Sequence, residues 1–254
     1  MVAKFELMPA DLLLILRIAG LQSSDDIYVD PLLLHNLSQP EMEEAFAGLI
    51  ERGLVTSSHD GGLKLAPYVA ANADAVLHPH ASIGMTVRRS QDDTRAMFVN
   101  FGPREVLANQ ITDEQIYRLE SIPPRVDAVV GHLLSYLESS DTEDGVQSAN
   151  SAVIDWTQLE DEPDVFDALL AIAARSGLVE ANQARNEMRG GTLVSLKASL
   201  PKLHSTSVET LLWVEKTGTR WLMRGIEGNH YMTLIRLNGP ALRAVLAEVV
   251  DFML

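Results

Sequence analysis

Of the seven histidines in the chain, only His78-Pro-His80 has the spacing of a metal-ligand pair. A bound zinc or nickel ion needs a third protein donor, and the sequence nominates none. The expectation is therefore structural: one histidine meets the last carbonyls of a short helix and the other meets a neighbour in the following loop. His204 recurs at the corresponding place later in the chain, which supports that reading. Ser199-Leu-Pro-Lys202 with Lys216-Thr-Gly218 imitates the serine and K-T-G elements of penicillin-binding enzymes. In those enzymes a helix start carries the first element and a strand far downstream carries the second. Here Pro201 interrupts the first and a short segment separates the two, so a loop followed by a hairpin turn is expected. The glycines at Gly61-Gly62, Gly190-Gly191 and Gly225 to Gly228 are isolated turn elements, without a dinucleotide fingerprint or a P-loop lysine. Neither G-x-S-x-G nor H-E-x-x-H occurs. The carboxylate clusters at Asp141 to Asp144 and Glu160 to Asp164 fall in a linker and at a helix N-terminus, where solvation or the helix dipole explains them. No acid, base and nucleophile converge. The expectation is a protein that is not an enzyme and that uses no cofactor and no metal.

The one basic cluster is Arg88, Arg89 and Arg95, with Arg104 beyond the next turn. On a chain with 35 acidic and 20 basic residues, net charge −15, such a cluster suits an acidic protein partner. Arginines simply flanking a turn in solvent are the plainer reading. Arg88, Arg89 and Arg95 are accordingly the expected partner-binding residues, assigned by position. The overall acidity repels nucleic-acid phosphates and anionic lipid, so neither partner is expected.

These groups must be positioned by a folded chain. With 254 residues, 46% hydrophobic and 22% charged, two modest domains or one domain of two fused halves are expected, folded throughout. Cysteine is absent, which removes disulfides and zinc-thiolate sites and suits a reducing cytosol. The start, Met1-Val-Ala-Lys-Phe-Glu-Leu-Met-Pro9, lacks a secretory h-region, and the apolar run Leu12 to Ala19 is far shorter than the ~20 residues that span a bilayer. A soluble, cytoplasmic protein is expected.

The first helix opens at Pro9 and stops at Gly20. A second opens with the capping box Ser38-Gln-Pro-Glu41, carries the stripe Met42, Ala45, Phe46, Leu49 and Ile50, and closes at Gly53. After Leu54-Val55 and a turn at Gly61-Gly62, a short helix ends near His78. The period then becomes two: Ile83, Met85 and Val87, a turn from Ser90 to Asp93, then Met97, Val99 and Phe101 form a hairpin. A third strand is expected within Val106 to Leu119. A helix follows Ile122-Pro-Pro-Arg125, with Val126, Val129, Val130, Leu133, Leu134 and Leu137 inward. The acidic, polar stretch 139–151 reads as a linker.

Beyond the linker the order recurs. Tyr28-Val-Asp30 matches Val153-Ile-Asp155, Ser38-Gln-Pro-Glu41 matches Asp161-Glu-Pro-Asp164, and Ile50 to Val55 matches Ala174 to Val179. Leu77-His78 matches Leu203-His204, Thr94-Arg95 matches Thr219-Arg220, and Pro124 with its helix matches Pro240 with Ala241 to Leu254. Collinearity carries the inference of a tandem internal repeat. The expected fold is α+β: a β-α-α-β-β-β-α unit used twice with pseudo-two-fold symmetry, a mixed or antiparallel sheet with helices packed on it, and one N-terminal helix in front. The halves are 1–138, containing the first helix and first repeat, and 152–254, joined by the linker 139–151.

Taken in order, the chain resembles the EspG family, the secretion-associated cytosolic chaperones of ESX (type VII) systems. The likeness lies in Pro9-Ala-Asp-Leu12, in the helix ending Arg52-Gly-Leu-Val55, and in the short helix ending Val76-Leu-His-Pro79. It continues in Lys216-Thr-Gly-Thr-Arg-Trp-Leu222, with threonine where the family pattern has glycine, and in the terminal helix Pro240 to Leu254. The resemblance implies a quasi-two-fold α+β fold and a non-catalytic role: binding the helical tip of a PE–PPE-type secretion substrate and keeping it soluble in the cytosol, without nucleotide or metal. Two other readings stay open, a winged-helix-like regulator and a homo-oligomeric scaffold. Glu41, Glu43, Glu44 and Glu51 argue against the first, because they place negative charge where a recognition helix needs positive.

Overall fold

The structure is a computed structural model describing residues 4–21, 38–57, 62–89, 94–103, 105–111, 116–137, 151–155, 191–200, 205–216, 219–225, 231–238 and 241–254. The fold is α+β. The described elements are β1 (Lys4–Leu7), α1 (Pro9–Ala19), α2 (Gln39–Glu51), β2 (Val55–Ser57), β3 (Leu63–Leu65), α3 (Pro67–Leu77), β4 (Ala81–Arg88), β5 (Thr94–Phe101), β6 (Val106–Ile111), β7 (Tyr117–Ile122) and α4 (Val126–Tyr136). They continue with β8 (Ser151–Asp155), β9 (Thr192–Leu200), β10 (Ser205–Lys216), β11 (Thr219–Gly225), β12 (Tyr231–Asn238) and a last helix, α5 (Ala241–Met253). Two compact units contain them: one of Met1–Ile83, Ala96–Val129 and Met253–Leu254, the other of Gly84–Arg95 and Val130–Phe252.

In the first unit the helices begin and end where local chemistry dictates. Pro9 opens α1, and the Asp11 carboxylate reaches back to accept the Met8 N–H at 3.1 Å. The helix stops at Gly20, whose φ of 113° suits glycine, and the Leu21 N–H then donates to the Leu16 carbonyl at 2.8 Å. Ser38 caps α2 as the sequence predicts: its N–H donates to the Glu41 carboxylate at 2.7 Å, and its hydroxyl oxygen accepts the Glu41 N–H at 3.5 Å. The Ser38 side chain, and then its backbone N–H, hold the Glu41 carboxyl below its ordinary value of 4.5. Gly53, with φ 69°, ends α2 in the same way as Gly20 ends α1, the Leu54 N–H donating to the Leu49 carbonyl at 2.9 Å.

Leu12, Leu13, Ile15 and Leu16 of α1 form a buried core with Leu49 of α2, Val69, Ala73 and Val76 of α3, and the sheet residues Leu7, Leu107, Tyr117 and Leu119. Met42 packs at its margin, while Ile50, expected in the same stripe, is 46% exposed. The buried stripe of α2 is thus narrower than its sequence suggests: Ala45 and Leu49 are the residues it buries.

The antiparallel strands of this unit run β1-β7-β6-β5, and β2 and β3 form a separate hairpin with Val55 opposite Leu65. The single third strand expected within Val106 to Leu119 is two, β6 and β7, paired with Val106 opposite Ile122. Strand β1 was not expected: Glu6 lies opposite Arg118 and Leu7 opposite Tyr117.

The second unit orders its strands β9-β10-β11-β12-β8, all neighbours antiparallel. Along β9, Val194, Leu196 and Ala198 are buried at every second position, the signature of a sheet with one packed face. On β11 the adjacent Trp221 and Leu222 are both buried, so both faces are covered there. Leu242, Leu246, Val249 and Val250 bury the inward stripe of α5, and Arg224 of β11 pairs with Glu248 of that helix at 2.8 Å.

Several paired positions of the expected repeat lie outside the described residues: Tyr28 to Asp30, Asp161 to Asp164, Ala174 to Val179, His204 and Pro240. So does most of the linker 139–151. Among described positions, Thr94 opens β5, the second strand of the run β4 to β7, whereas Thr219 opens β11, the third of the run β9 to β12. That sequence match therefore joins strands at different places in their runs.

Candidate partner-binding surface

Arg88 is the last residue of β4, Arg89 follows it, and Arg95 is the second residue of β5. The turn between them, 90–93, lies outside the described residues, as does Arg104. β4 and β5 are hydrogen-bonded neighbours, so all three arginines flank one hairpin end, in the second unit. Arg88 is exposed; Arg89 and Arg95 are half-buried, each with polar or electrostatic contacts of its own. From Ile83 onward β4 alternates: Ile83, Met85 and Val87 are buried at 0%, 1% and 3%, which turns Arg88 to the other side.

The two histidines of His78-Pro-His80 face different partners. His78 Nδ1 lies 3.0 Å from Asp74 Oδ1, one turn back on α3, with both side chains exposed. His80 Nε2 lies 3.2 Å from the Met253 carbonyl, so that nitrogen carries the proton, and its ring meets Phe101 edge-on at 6.4 Å. The His80 N–H also donates to the Phe101 carbonyl at 2.9 Å. Among the described residues no group of three metal-ligating side chains comes together.

Ser199 is in β9, not at a helix start, and Lys216 ends β10. In the β9–β10 ladder Leu200 pairs with Ser205 while Thr192 pairs with Glu215, so the serine and the lysine stand at opposite ends. The strand rise puts about 25 Å between them. Lys216 and Thr219 pair at the end of the β10–β11 ladder, and Thr217 and Gly218 lie outside the described residues.

A network of ion pairs joins residues that the sequence places far apart. The Arg52 guanidinium, at the end of α2, donates through Nη1 to Asp11 Oδ2 at 3.1 Å and through Nη2 to the Glu6 carbonyl at 2.8 Å. Arg118 donates through Nε and Nη2 to Glu6 Oε1 at 3.1 and 2.8 Å. Asp11 is the buried member, with a side chain 9% exposed against 41% for Arg52. The segments Pro9 to Leu12 and Arg52 to Val55 are thus in direct contact through Asp11 and Arg52. Nothing in their spacing announces this. The only sequence signal is a lone acid on the apolar first turn of a buried helix.

Large apolar side chains also reach the surface: Met8, Leu63, Tyr68 and Leu254 in the first unit, with Ile50, and Phe252, 63% exposed, in the second. On α2, Glu41, Glu43, Glu44 and Glu51 are all exposed. No described helix is long and apolar enough to cross a membrane.

The fold is similar to that of a solved chaperone. With a TM-score of 0.67 at 12% sequence identity, the chain aligns over 99% of its length and 97% of the other with the structure of the Mycobacterium tuberculosis type VII secretion system chaperone EspG5 in complex with PE25-PPE41 dimer. The chain therefore has an EspG-like fold. No protein-family model matches the sequence, and no curated protein matches it.

Proposed function

We propose that this protein is a non-catalytic, cytoplasmic chaperone of the EspG kind, which holds a helical PE–PPE-type secretion substrate as a soluble complex. The observation that carries the reading is fold similarity across nearly both full chains, to a chaperone whose structure includes such a dimer. Exposed apolar side chains on both units suit a protein that covers a substrate's apolar surface. The strongest catalytic lookalike, Ser199 with Lys216, is pulled apart by the β9–β10 register.

The tandem repeat belongs to the same proposal, with halves 1–138 and 152–254 joined by the acidic linker 139–151. Each half has four successive strands followed by a helix, with a shorter strand, β1 or β8, beside the fourth. Two such halves would give a substrate two unlike faces. Arg88, Arg89 and Arg95 are the proposed contacts for an acidic stretch of the partner.

The test is coexpression with PE–PPE pairs from the same organism, scoring the pair's soluble yield with and without this chain. Raised yield and a shared chromatographic peak are expected, and replacing the three arginines by serine should weaken the complex. Undiminished binding by that triple variant would remove the hairpin from the interface. A winged-helix regulator would instead bind DNA in a salt-dependent way, against the exposed glutamates of α2. A scaffold would show concentration-dependent mass without any partner.

A further inference from the structure

Two asparagines are buried on packed elements of the first unit, one on the sheet and one on α3. Asn109 of β6 is 1% exposed, and neither end of its side-chain amide has a hydrogen-bond partner among the described residues. Interchanging the amide oxygen and nitrogen changes nothing, because both ends are unpaired. Asn109 stands two positions after Leu107 and opposite Leu119 of β7, so it shares their face of the sheet, the one that meets the core of α1, α2 and α3. Phe98 of β5 lies opposite it on the other side. Leu107, Leu119 and Phe98 offer neither donor nor acceptor, and the backbone beside Asn109 is engaged in the ladders of β6 with β5 and β7. Helix α3 packs against β6, and its Ala75 lies so close to the turn before that strand that a Cβ on Gly102 would meet it at 2.8 Å. On the buried stripe of α3, with Val69, Ala73 and Val76, stands Asn72, 2% exposed. Its Nδ2 donates to the Tyr68 carbonyl at 2.8 Å, which fixes the amide's orientation and leaves Oδ1 as an unpaired acceptor.

We infer that Asn109 is a binding site for an internal water molecule, held between β6 and α3 with Asn72 as its partner on the helix. The ligand follows from the chemistry of the two side chains. A buried amide that makes none of its hydrogen bonds is strongly disfavoured, and native interiors satisfy such groups with protein or with ordered water. Whatever meets Asn109 must donate to Oδ1 and accept from Nδ2, and must donate again to reach Asn72 Oδ1. Water does all three, and a buried water takes two to four polar partners of this kind. At 1% exposure the amide is closed to a peptide or a larger ligand. The water then joins the helix layer to the sheet through hydrogen bonds at a place where the surrounding contacts are apolar. This reading concerns the first unit by itself and does not rest on the proposed function.

The experiment is nuclear magnetic resonance on the isotopically labelled full chain, measuring magnetisation transfer from water to the side-chain amide protons of Asn109 in both the laboratory and the rotating frame. The expected result is a cross-peak of opposite sign in the two frames, which marks a water resident on the protein; direct proton exchange with solvent gives the same sign in both. An assigned Asn109 amide with no such cross-peak, or with peaks of the same sign, overturns the inference. Asn72→Leu is the second arm: it removes the acceptor on α3 and is expected to abolish the cross-peak at Asn109. A folded Asn72→Leu protein with the parent's cross-peak undiminished overturns the bridge to α3. Should Asn72→Leu fail to fold by circular dichroism, Asn72→Ala takes its place, with the same two outcomes decisive.

Discussion

The two units order their strands alike but build them differently. In the first, β5, β6 and β7 have 8, 6 and 6 residues, and three helices share a core with β6 and β7 around Leu16, Leu49 and Val76. In the second, β9 and β10 have 9 and 12 residues, and Trp221, the largest fully buried side chain among the described residues, sits on β11. At β1, Arg52 and Arg118 both reach Glu6. Among the described residues the first unit shows helix caps and ion pairs at Asp11, Arg52 and Arg118, and the second shows long ladders around Trp221 with the Arg224–Glu248 pair.

The sharpest way to break this contrast is Trp221→Ala. Its side chain is 1% exposed, and truncating a buried tryptophan costs about 3–5 kcal/mol. Chemical denaturation should show that loss, with hydrogen exchange rising first in β10 and β11. Equal acceleration in α1 and α2 would mean the two units unfold as one. Gly102→Ala probes the first unit. A Cβ there would lie 2.8 Å from the Ala75 Cβ and 3.1 Å from its Cα, so the turn into β6 must move away from α3, at about 1–3 kcal/mol. A neutral Gly102→Ala protein would show that this packing yields easily.

The smallest effect is expected at the α2 cap. Because the folded Glu41 carboxyl sits below its ordinary 4.5, its contribution is present above that pH and fades as pH falls through the lower folded value. Ser38→Ala should remove this acid dependence, and a fluorescence-monitored melt from pH 6 to pH 3 should show parent and variant converging as the acid is protonated.

The helices were legible because their stops and starts are local: Pro9 and Gly20, Ser38 and Gly53 act within one turn of chain. The β4–β5 hairpin was legible because Ile83 to Val87 and Met97 to Phe101 alternate. Strand β1 was not, since four residues give no period and its pairing lies more than a hundred positions away at Arg118. The division of β6 from β7 was hidden because the buried Asn109 breaks the apolar pattern just before the turn. Thr94 and Thr219 matched in sequence although they open different strands of their runs, because hairpin turns reuse the same short residue sets. As for the candidate surface, the sequence located Arg88, Arg89 and Arg95 at a hairpin end, while the Asp11–Arg52 pair depends on two helices meeting in space and left no spacing to read.

The central claim is that this fold holds a PE–PPE-type dimer. Its most direct test is size-exclusion chromatography with light scattering on this chain mixed with a purified PE–PPE pair from the same organism. The account predicts a single species whose mass is the sum of one copy each of the three chains. Separate peaks at the masses of the free chain and the free pair, for every pair the organism encodes, would contradict it.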